Sequence, residues 1–370
     1  MTPALAMLKA WRPDLMLTVL VESGFRQLLA DNPDVDEILT LDSRRMIAGD
    51  ASKGKWHGWR RAMEQLRLVT ELRRRKFALC LNLHGGPTST WLTALSGARW
   101  KVGFHHFRSP RVYDFLVPDA REILEQQDVH TTELQVAALY WLGLPHAPIP
   151  PARMIVSETS RDWWRSTRSK LGLAPGQEYA LIHPTALYPT KQWVSEKFAE
   201  IGALLEREAK LATLYACGPG ESAVLDAVEA AAGHPLQRLQ DVDLDLYAAA
   251  LREARLFVGN DSGPAHMASA LERPAVVIFG SSSSRIWGPW PRPSSREANS
   301  SVRSASTDSG SLSAPRPARI VQNFYDCNPC PGDRCYRFER PECILSISVA
   351  QVWDAVKAVL NEHPSREGDA

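Results

Sequence analysis

The stretch "FVGNDSGPAHMASAL", residues 257–271, sets the reading of this chain. A short apolar run passes into Asn-Asp-Ser-Gly-Pro, and a helix pattern of small residues begins at once. Pro264 suits the first helical position, where the missing N–H is not needed, and Gly263 suits a close turn. Ala265, Ala268, Ser269 and Ala270 allow that helix to pack near a sheet. In an open parallel sheet, ligands sit beyond the carboxyl ends of the strands. The free N–H groups and dipole of a helix N-terminus favour an anion there, and His266, one turn in, adds a donor. The alternative is an Asp/Ser cap on an ordinary helix.

Working outward, apolar runs alternate with amphipathic ones along most of the chain. Expected strands are 15–21, 37–41, 77–83 and 101–104, then 179–183, 211–217, 256–259 and 275–280. Helical patterns lie between them, as at 193–208 and 243–254. Near-continuous apolar strands separated by amphipathic helices read as parallel sheet covered on both faces. The Pro-rich run "LPHAPIPPAR" (144–153) divides the series in two. The expectation is therefore an α/β chain of two Rossmann-like domains, 1–150 and 151–347, with a terminal helix at 348–363 and a tail at 364–370. Residues 291–317, rich in Ser, Pro and Arg and poor in aliphatics, are expected to form a mobile loop.

Two companions of the opening turn leave neighbouring strands of the second half. "IHPTALYPTKQW" (182–193) offers His183, Thr185 and Lys191, the lysine as a point charge for a phosphate. "CGPGESAVL" (217–225) offers two glycines and Glu221, an acceptor for a ribose diol. The competing reading of Glu221 is a carboxylate that only complements a helix dipole. Three polar loops on one sheet edge point to a nucleotide site.

Composition narrows the partners. The formal net charge of +1 over 370 residues gives no global field for nucleic acid. Residues 43–112 nevertheless hold fifteen Lys/Arg against three Asp/Glu, a local +12 that leaves −11 for the remainder. That segment reads either as a face for an anionic partner or as solvated helix faces such as "ELRRRK". No uninterrupted apolar run approaches the ~18 residues of a membrane span, and charges and prolines interrupt the N-terminus where a signal peptide would lie. Six cysteines in a chain of this length do not suggest a secreted disulfide scaffold, so a cytoplasmic setting is expected. Cys327, Cys330, Cys335 and Cys343 stand in a C-x2-C-x4-C-x7-C array. Such spacing is compatible with a structural Zn²⁺ held by four thiolates; buried free thiols and an adventitious disulfide are the alternatives. Trp287 and Trp290 fall in a loop, without the packing role expected of the other tryptophans.

Taken together, "GNDSGPAH", "IHPTALYPTKQW", "GPGE" and the late "CNPCPGDRC" resemble glycosyltransferase family 9, the ADP-heptose:lipopolysaccharide heptosyltransferases. The N-terminal "TPALAMLKAWRPDLMLTVLVE" and "NPDVDEILTLD" extend the resemblance over nearly the whole chain. It implies a GT-B fold, two facing Rossmann-like domains with a cleft between them. ADP-heptose would occupy the C-terminal half and the lipopolysaccharide core the N-terminal half. Lys191, Ser262, Gly263 and Pro264 would border the diphosphate, with Thr185 and His266 close by. Glu221 would hold the ribose, and Asp261 would contact the donor sugar or fix the loop. Lys191 and the helix N-terminus would stabilise charge on the leaving phosphate during an inverting displacement. That picture requires no cofactor, and it places the enzyme at the cytoplasmic side of the inner membrane in peripheral contact. The basic stretch would then meet acceptor phosphates. His84, His130, Arg108 and Arg111, with His105 and His106, are the candidates on the acceptor side; each histidine also has a purely structural reading.

The resemblance also implies an aspartate general base, on a Gly-Asp loop ahead of the segment like "TPALAMLK". The sequence opens at Met1-Thr2-Pro3, so that base is not among its residues, and Asp14 lies too far along to replace it. Two explanations stand: a start farther upstream, or a truncated chain that binds donor without transfer. The first half is accordingly expected to lack a central strand and to expose sheet edges. An inactive nucleotide-sugar-binding protein and a nucleotide-sugar epimerase of the same fold remain the alternatives to a heptosyltransferase.

Overall fold

The computed structural model describes residues 1–42, 56–291, 318–330 and 332–364, with the side chains of 56–62 also outside the description. Most of the expected loop (292–317), part of the basic stretch (43–55) and the end of the tail (365–370) therefore lie outside it. The chain divides into two compact units, Met1–Pro150 and Pro151–Ala370.

The second unit is built on one parallel sheet of six strands. In chain order these are β6 (Tyr179–His183), β7 (Ala212–Ala216), β8 (Arg238–Leu239), β9 (Leu256–Asn260), β10 (Ala275–Phe279) and β11 (Arg319–Gln322). Their spatial order is β11-β10-β9-β6-β7-β8. Within the unit this is 6-5-4-1-2-3, the doubly wound arrangement, and the order reverses between β6 and β9. Every residue of β6, β9 and β10 is buried, which is why those runs carry no polar alternation. At the reversal the two backbones lie close. A Cβ on Gly259 would stand 2.9 Å from the His183 carbonyl oxygen and 2.7 Å from the Phe257 ring, so only glycine fits. Strands β8 and β11 were not foreseen: one is two residues long, the other a lone four-residue edge.

Helices Ser195–Arg207 and Val349–Glu362 pack together on one face of this sheet. Phe198, Ile201 and Leu205 meet Val352, Val356 and Val359 there, in one fully dry cluster. Burial of each such side chain is worth ~1.5–3 kcal/mol. Polar ties fix the terminal helix in register. Trp193 Nε1 donates to the Ile347 carbonyl at 3.0 Å, and Lys197 Nζ donates to the carbonyls of Leu345 and Ile347 at 2.7 Å each. A Ser348–Gln351 capping box starts the helix.

The first unit holds two separate parallel sheets. β1 (Thr18–Glu22) pairs with β2 (Glu37–Leu41), and β3 (Leu79–Leu81) is followed in space by β4 (Trp100–Phe104) and β5 (Phe115–Val117). The expected strand 77–83 is shorter than its apolar run because Asn82 already turns the chain, and β5 was missed because it has only three residues. Helix Thr131–Trp141 packs on Thr2–Trp11, burying Ala4 and Met7 against Val136 and Leu139. No helix among the described residues is long and apolar enough to cross a membrane.

Candidate functional site

Strand β6 ends in His183, and its loop carries Pro184, Thr185 and then the short 3₁₀ turn Pro189–Lys191. Strand β9 ends in Asn260, followed by Asp261 and Ser262 at the start of helix Gly263–Ala270. Because β6 and β9 are parallel neighbours at the reversal, both loops emerge on the same edge, where such sheets bind ligands.

Asn260, 0% exposed, clamps the two loops together. Its Oδ1 accepts from the Trp193 N–H at 3.1 Å, and its Nδ2 donates to the Pro184 carbonyl at 2.8 Å. Beside it Lys191 Nζ stands 2.8 Å from Asp261 Oδ2. The Asp261 side chain is buried and that of Lys191 about one-fifth exposed, so the lysine is held in place while still reaching solvent. Asp261 thus pairs with the lysine, a contact the sequence reading did not foresee.

The helix N-terminus behind this pair is uncapped. Ser262, at the N-cap, makes no side-chain capping bond; its hydroxyl turns back to the Asn260 carbonyl at 3.3 Å. Among the described residues the N–H groups of Ser262 and Gly263 find no acceptor. A helix start with unmet donors carries partial positive charge. Gly263 corrects the sequence reading in one respect. A Cβ there would meet nothing within 4 Å, so the turn itself does not call for glycine and the space above it is open. Pro264 occupies the first turn as expected, and His266 is exposed on it.

On the other side of β6, Glu221 starts helix Ser222–Ala232 after β7. Its Oε2 accepts from Thr185 Oγ1 at 2.7 Å and from the Gly218 N–H at 2.8 Å, while Oε1 has no such donor among the described residues. Thr185 Oγ1 also lies 2.9 Å from His183 Nε2, and His183 Nδ1 lies 3.3 Å from the Tyr247 hydroxyl. Burial pushes the His183 pKa down to about 4, so the ring is neutral at physiological pH. Burial also drives the Tyr247 hydroxyl well above its ordinary value, which keeps it protonated.

All the donor-side candidates therefore belong to the second unit, and two direct contacts join four of them: Lys191 with Asp261 and Thr185 with Glu221. The acceptor-side candidates belong to the first unit. His84 is exposed in the loop after β3; its Nδ1 accepts from the Gly86 N–H at 3.1 Å. Asn82 anchors that loop, accepting from the N–H groups of His84 and Gly85 and donating to the Tyr113 hydroxyl at 2.9 Å. His105, His106, Arg108 and Arg111 are exposed on the neighbouring loop after β4. His130 is different. It is 2% exposed, and its Nδ1 accepts from the Thr132 N–H while Glu133 returns a bond to the His130 N–H. That capping box gives it a structural task at the start of helix Thr131–Trp141.

Cys327, Cys330, Cys335 and Cys343 line one cavity of about 390 Å³ with Thr190 and Ser281, yet all four are free thiols. Among the described residues no three His, Cys, Asp or Glu side chains are grouped to hold a metal ion, so the arrangement lends no support to the Zn²⁺ reading of the spacing over that of free thiols. Burial, helped by the three neighbouring thiols, raises Cys343 to about 11. This loop is latched to the site: the Thr190 hydroxyl donates to the Gly332 carbonyl, and the Cys330 N–H to the Ser281 carbonyl at 3.1 Å. Trp287 ends a one-turn helix, Ser284–Trp287, and is half exposed, while the Trp290 carbonyl accepts from Ser269.

Three participants went unassigned in the sequence reading. Asn260 had a signal, an amide closing a fully apolar strand. Tyr247, inside "LDLYAAAL", had none, because only the sheet order brings its helix to His183. Thr190 was likewise hidden, its partner lying over a hundred residues away.

Comparison with known proteins agrees with this geometry. The family model described as Glycosyltransferase family 9 (heptosyltransferase) matches residues 65–310. Lipopolysaccharide heptosyltransferase 3 of Escherichia coli is 28% identical over 308 residues, covering 78% of this chain and 82% of that protein. Lipopolysaccharide heptosyltransferase 2 of Salmonella typhimurium is 24% identical over 292 residues, covering 75% and 77% respectively. Among solved structures, a family 9 glycosyl transferase from Veillonella parvula superposes with a TM-score of 0.75 at 19% identity, covering 98% of this chain and 93% of its own. The E. coli ADP-heptose heptosyltransferase II gives 0.69 at 18% identity, covering 98% and 94%. Two Rossmann-like α/β units of this type are the GT-B architecture, and the chain belongs to glycosyltransferase family 9, the heptosyltransferase family.

Proposed function

We propose that this enzyme transfers a heptosyl group from ADP-heptose to the inner core of lipopolysaccharide, inverting the anomeric carbon. The observation that carries the reading is the grouping of Lys191, the uncapped start of helix Gly263–Ala270 and Glu221 on one edge of the sheet, at its reversal. The named relatives, lipopolysaccharide heptosyltransferases at 24–28% identity, support the sugar and the acceptor class.

In this reading the diphosphate lies against Lys191 and the N–H groups of Ser262 and Gly263, with Pro264 and His266 at its border. The ribose diol donates to Glu221 Oε1, whose twin oxygen is already occupied. As the bond from the anomeric carbon to the leaving oxygen breaks, negative charge gathers on the diphosphate. The lysine, held by Asp261 before substrate arrives, and the helix N-terminus stabilise that charge without reorganising. The acceptor hydroxyl attacks from the opposite face and gives up its proton to a base that we do not assign. Acceptor phosphates meet His84, Arg108 and Arg111 on the first unit, and His130 supports that side from within. No step calls on a metal ion. The acceptor implies work at the cytoplasmic face of the inner membrane, in peripheral contact with it.

Calorimetric titration with ADP and UDP tests the donor assignment. ADP is expected to bind and UDP not, with Lys191→Ala and Glu221→Ala each weakening ADP by about 10-fold or more, the loss of one charge-assisted bond. Release of ADP on mixing ADP-heptose with a core acceptor checks transfer itself. Preference for UDP would overturn the reading.

A further inference from the structure

We propose that Tyr247 and His183 are positioning residues for the donor nucleotide: they complete a buried relay that, through Thr185, holds one oxygen of Glu221 and leaves the other for the ribose. The inference rests on the reading of Glu221 given above and extends it to residues that touch no substrate.

The proton order follows from donor and acceptor counting. A carboxylate only accepts, so at 2.7 Å the single hydroxyl proton of Thr185 points to Glu221 Oε2. Thr185 Oγ1 must then accept from its other neighbour, 2.9 Å away, and His183 carries its proton on Nε2. The ring is buried and neutral, which leaves Nδ1 as an acceptor, and the Tyr247 hydroxyl at 3.3 Å supplies the donor. The relay runs Tyr247 O–H to His183 Nδ1, His183 Nε2–H to Thr185 Oγ1, and Thr185 O–H to Glu221 Oε2. With the Gly218 N–H also on Oε2, that oxygen is saturated, and Oε1 is the one left to accept from a ligand.

The direction is not automatic. Were His183 protonated on Nδ1, its Nε2 would accept, Thr185 would turn its proton to the ring, and Glu221 would lose a fixing donor. The acceptor-only carboxylate of Glu221, acting through Thr185, biases the ring against this state, and Tyr247, whose hydroxyl can donate or accept, supplies the proton that Nδ1 then needs. His183, Thr185 and Tyr247 are at most 5% exposed, so water does not substitute for a missing partner at low cost.

The test compares ADP with 2′,3′-dideoxyadenosine diphosphate, which lacks the hydroxyls Glu221 would hold, on the full chain. Wild type is expected to prefer ADP, and Glu221→Gln to lose most of that preference. Tyr247→Phe and Thr185→Val should each cut ADP affinity by about 3- to 10-fold, the worth of one hydrogen bond, while leaving the dideoxy compound within twofold. Nitrogen-15 spectra of the His183 ring provide a readout that mere packing would not move. They should show Nε2 protonated in wild type and a mixture in Thr185→Val, where the link to the carboxylate is cut. If Glu221→Gln keeps the full preference for ADP, the ribose assignment itself is wrong. If Glu221→Gln loses it but the two relay variants weaken both nucleotides equally, or neither, Glu221 binds ribose and the relay is overturned. A wild-type ring protonated on Nδ1 overturns it without any variant.

Discussion

His183 sits where a strand residue becomes a site residue, and its burial has a consequence for stability. Its folded pKa of about 4 lies below the ordinary histidine value of 6.5, because the dry surroundings disfavour the imidazolium. The unfolded chain therefore takes up a proton first as pH falls. The contribution to stability is complete above about pH 6.5 and is lost progressively down to pH 4. Between pH 7 and 5 this one group should cost about 2 kcal/mol. Urea unfolding at the two pH values measures it. His183→Gln, which cannot titrate, should be less stable at pH 7 and show a pH dependence shallower by that amount.

At the scale of elements, the loop carrying Lys191 is shaped by the strand two places away in the sheet. A Cβ on Gly280, just past β10, would lie 2.3 Å from the Thr190 carbonyl oxygen and 3.0 Å from Ile344 Cβ. Gly280→Ala must push that loop outward. A loss of ~1–3 kcal/mol is expected from overpacking, with weaker ADP binding because Lys191 is the next residue. Unchanged affinity at reduced stability would separate the loop's position from the lysine's task. The elements themselves were largely legible: runs such as 179–182 and 256–259 carry no charged or amide residue because both faces of the sheet are covered. So was the turn at 260–264, where residue types alone suggested an anion site. Pairings across long sequence gaps were not legible. Tyr247 reads as an ordinary helix residue, the thiol spacing around Cys330 admits a metal reading that no grouping among the described residues supports, and Gly263 is free of the crowding its turn suggested.

For the whole molecule, every residue assigned to the donor lies in Pro151–Ala370 and every acceptor-side candidate in Met1–Pro150. Ligand that binds only the folded state stabilises by about 2.7 kcal/mol at a hundredfold excess over Kd. For a unit of this size that is a rise of roughly 5–10 °C in Tm. Scanning calorimetry with ADP should move the transition of the second unit and leave any separate transition of the first in place; an equal shift of both would mean that the units unfold as one. The latch between Thr190 and Gly332 carries a last consequence, since it ties the nucleotide's loop to a segment holding three partly exposed thiols. Those thiols are a built-in reporter. Alkylation of Cys327, Cys330 and Cys335, followed by mass spectrometry, should slow when ADP steadies Lys191, with Cys80 in the first unit as the internal reference, so that occupancy is read from thiol chemistry.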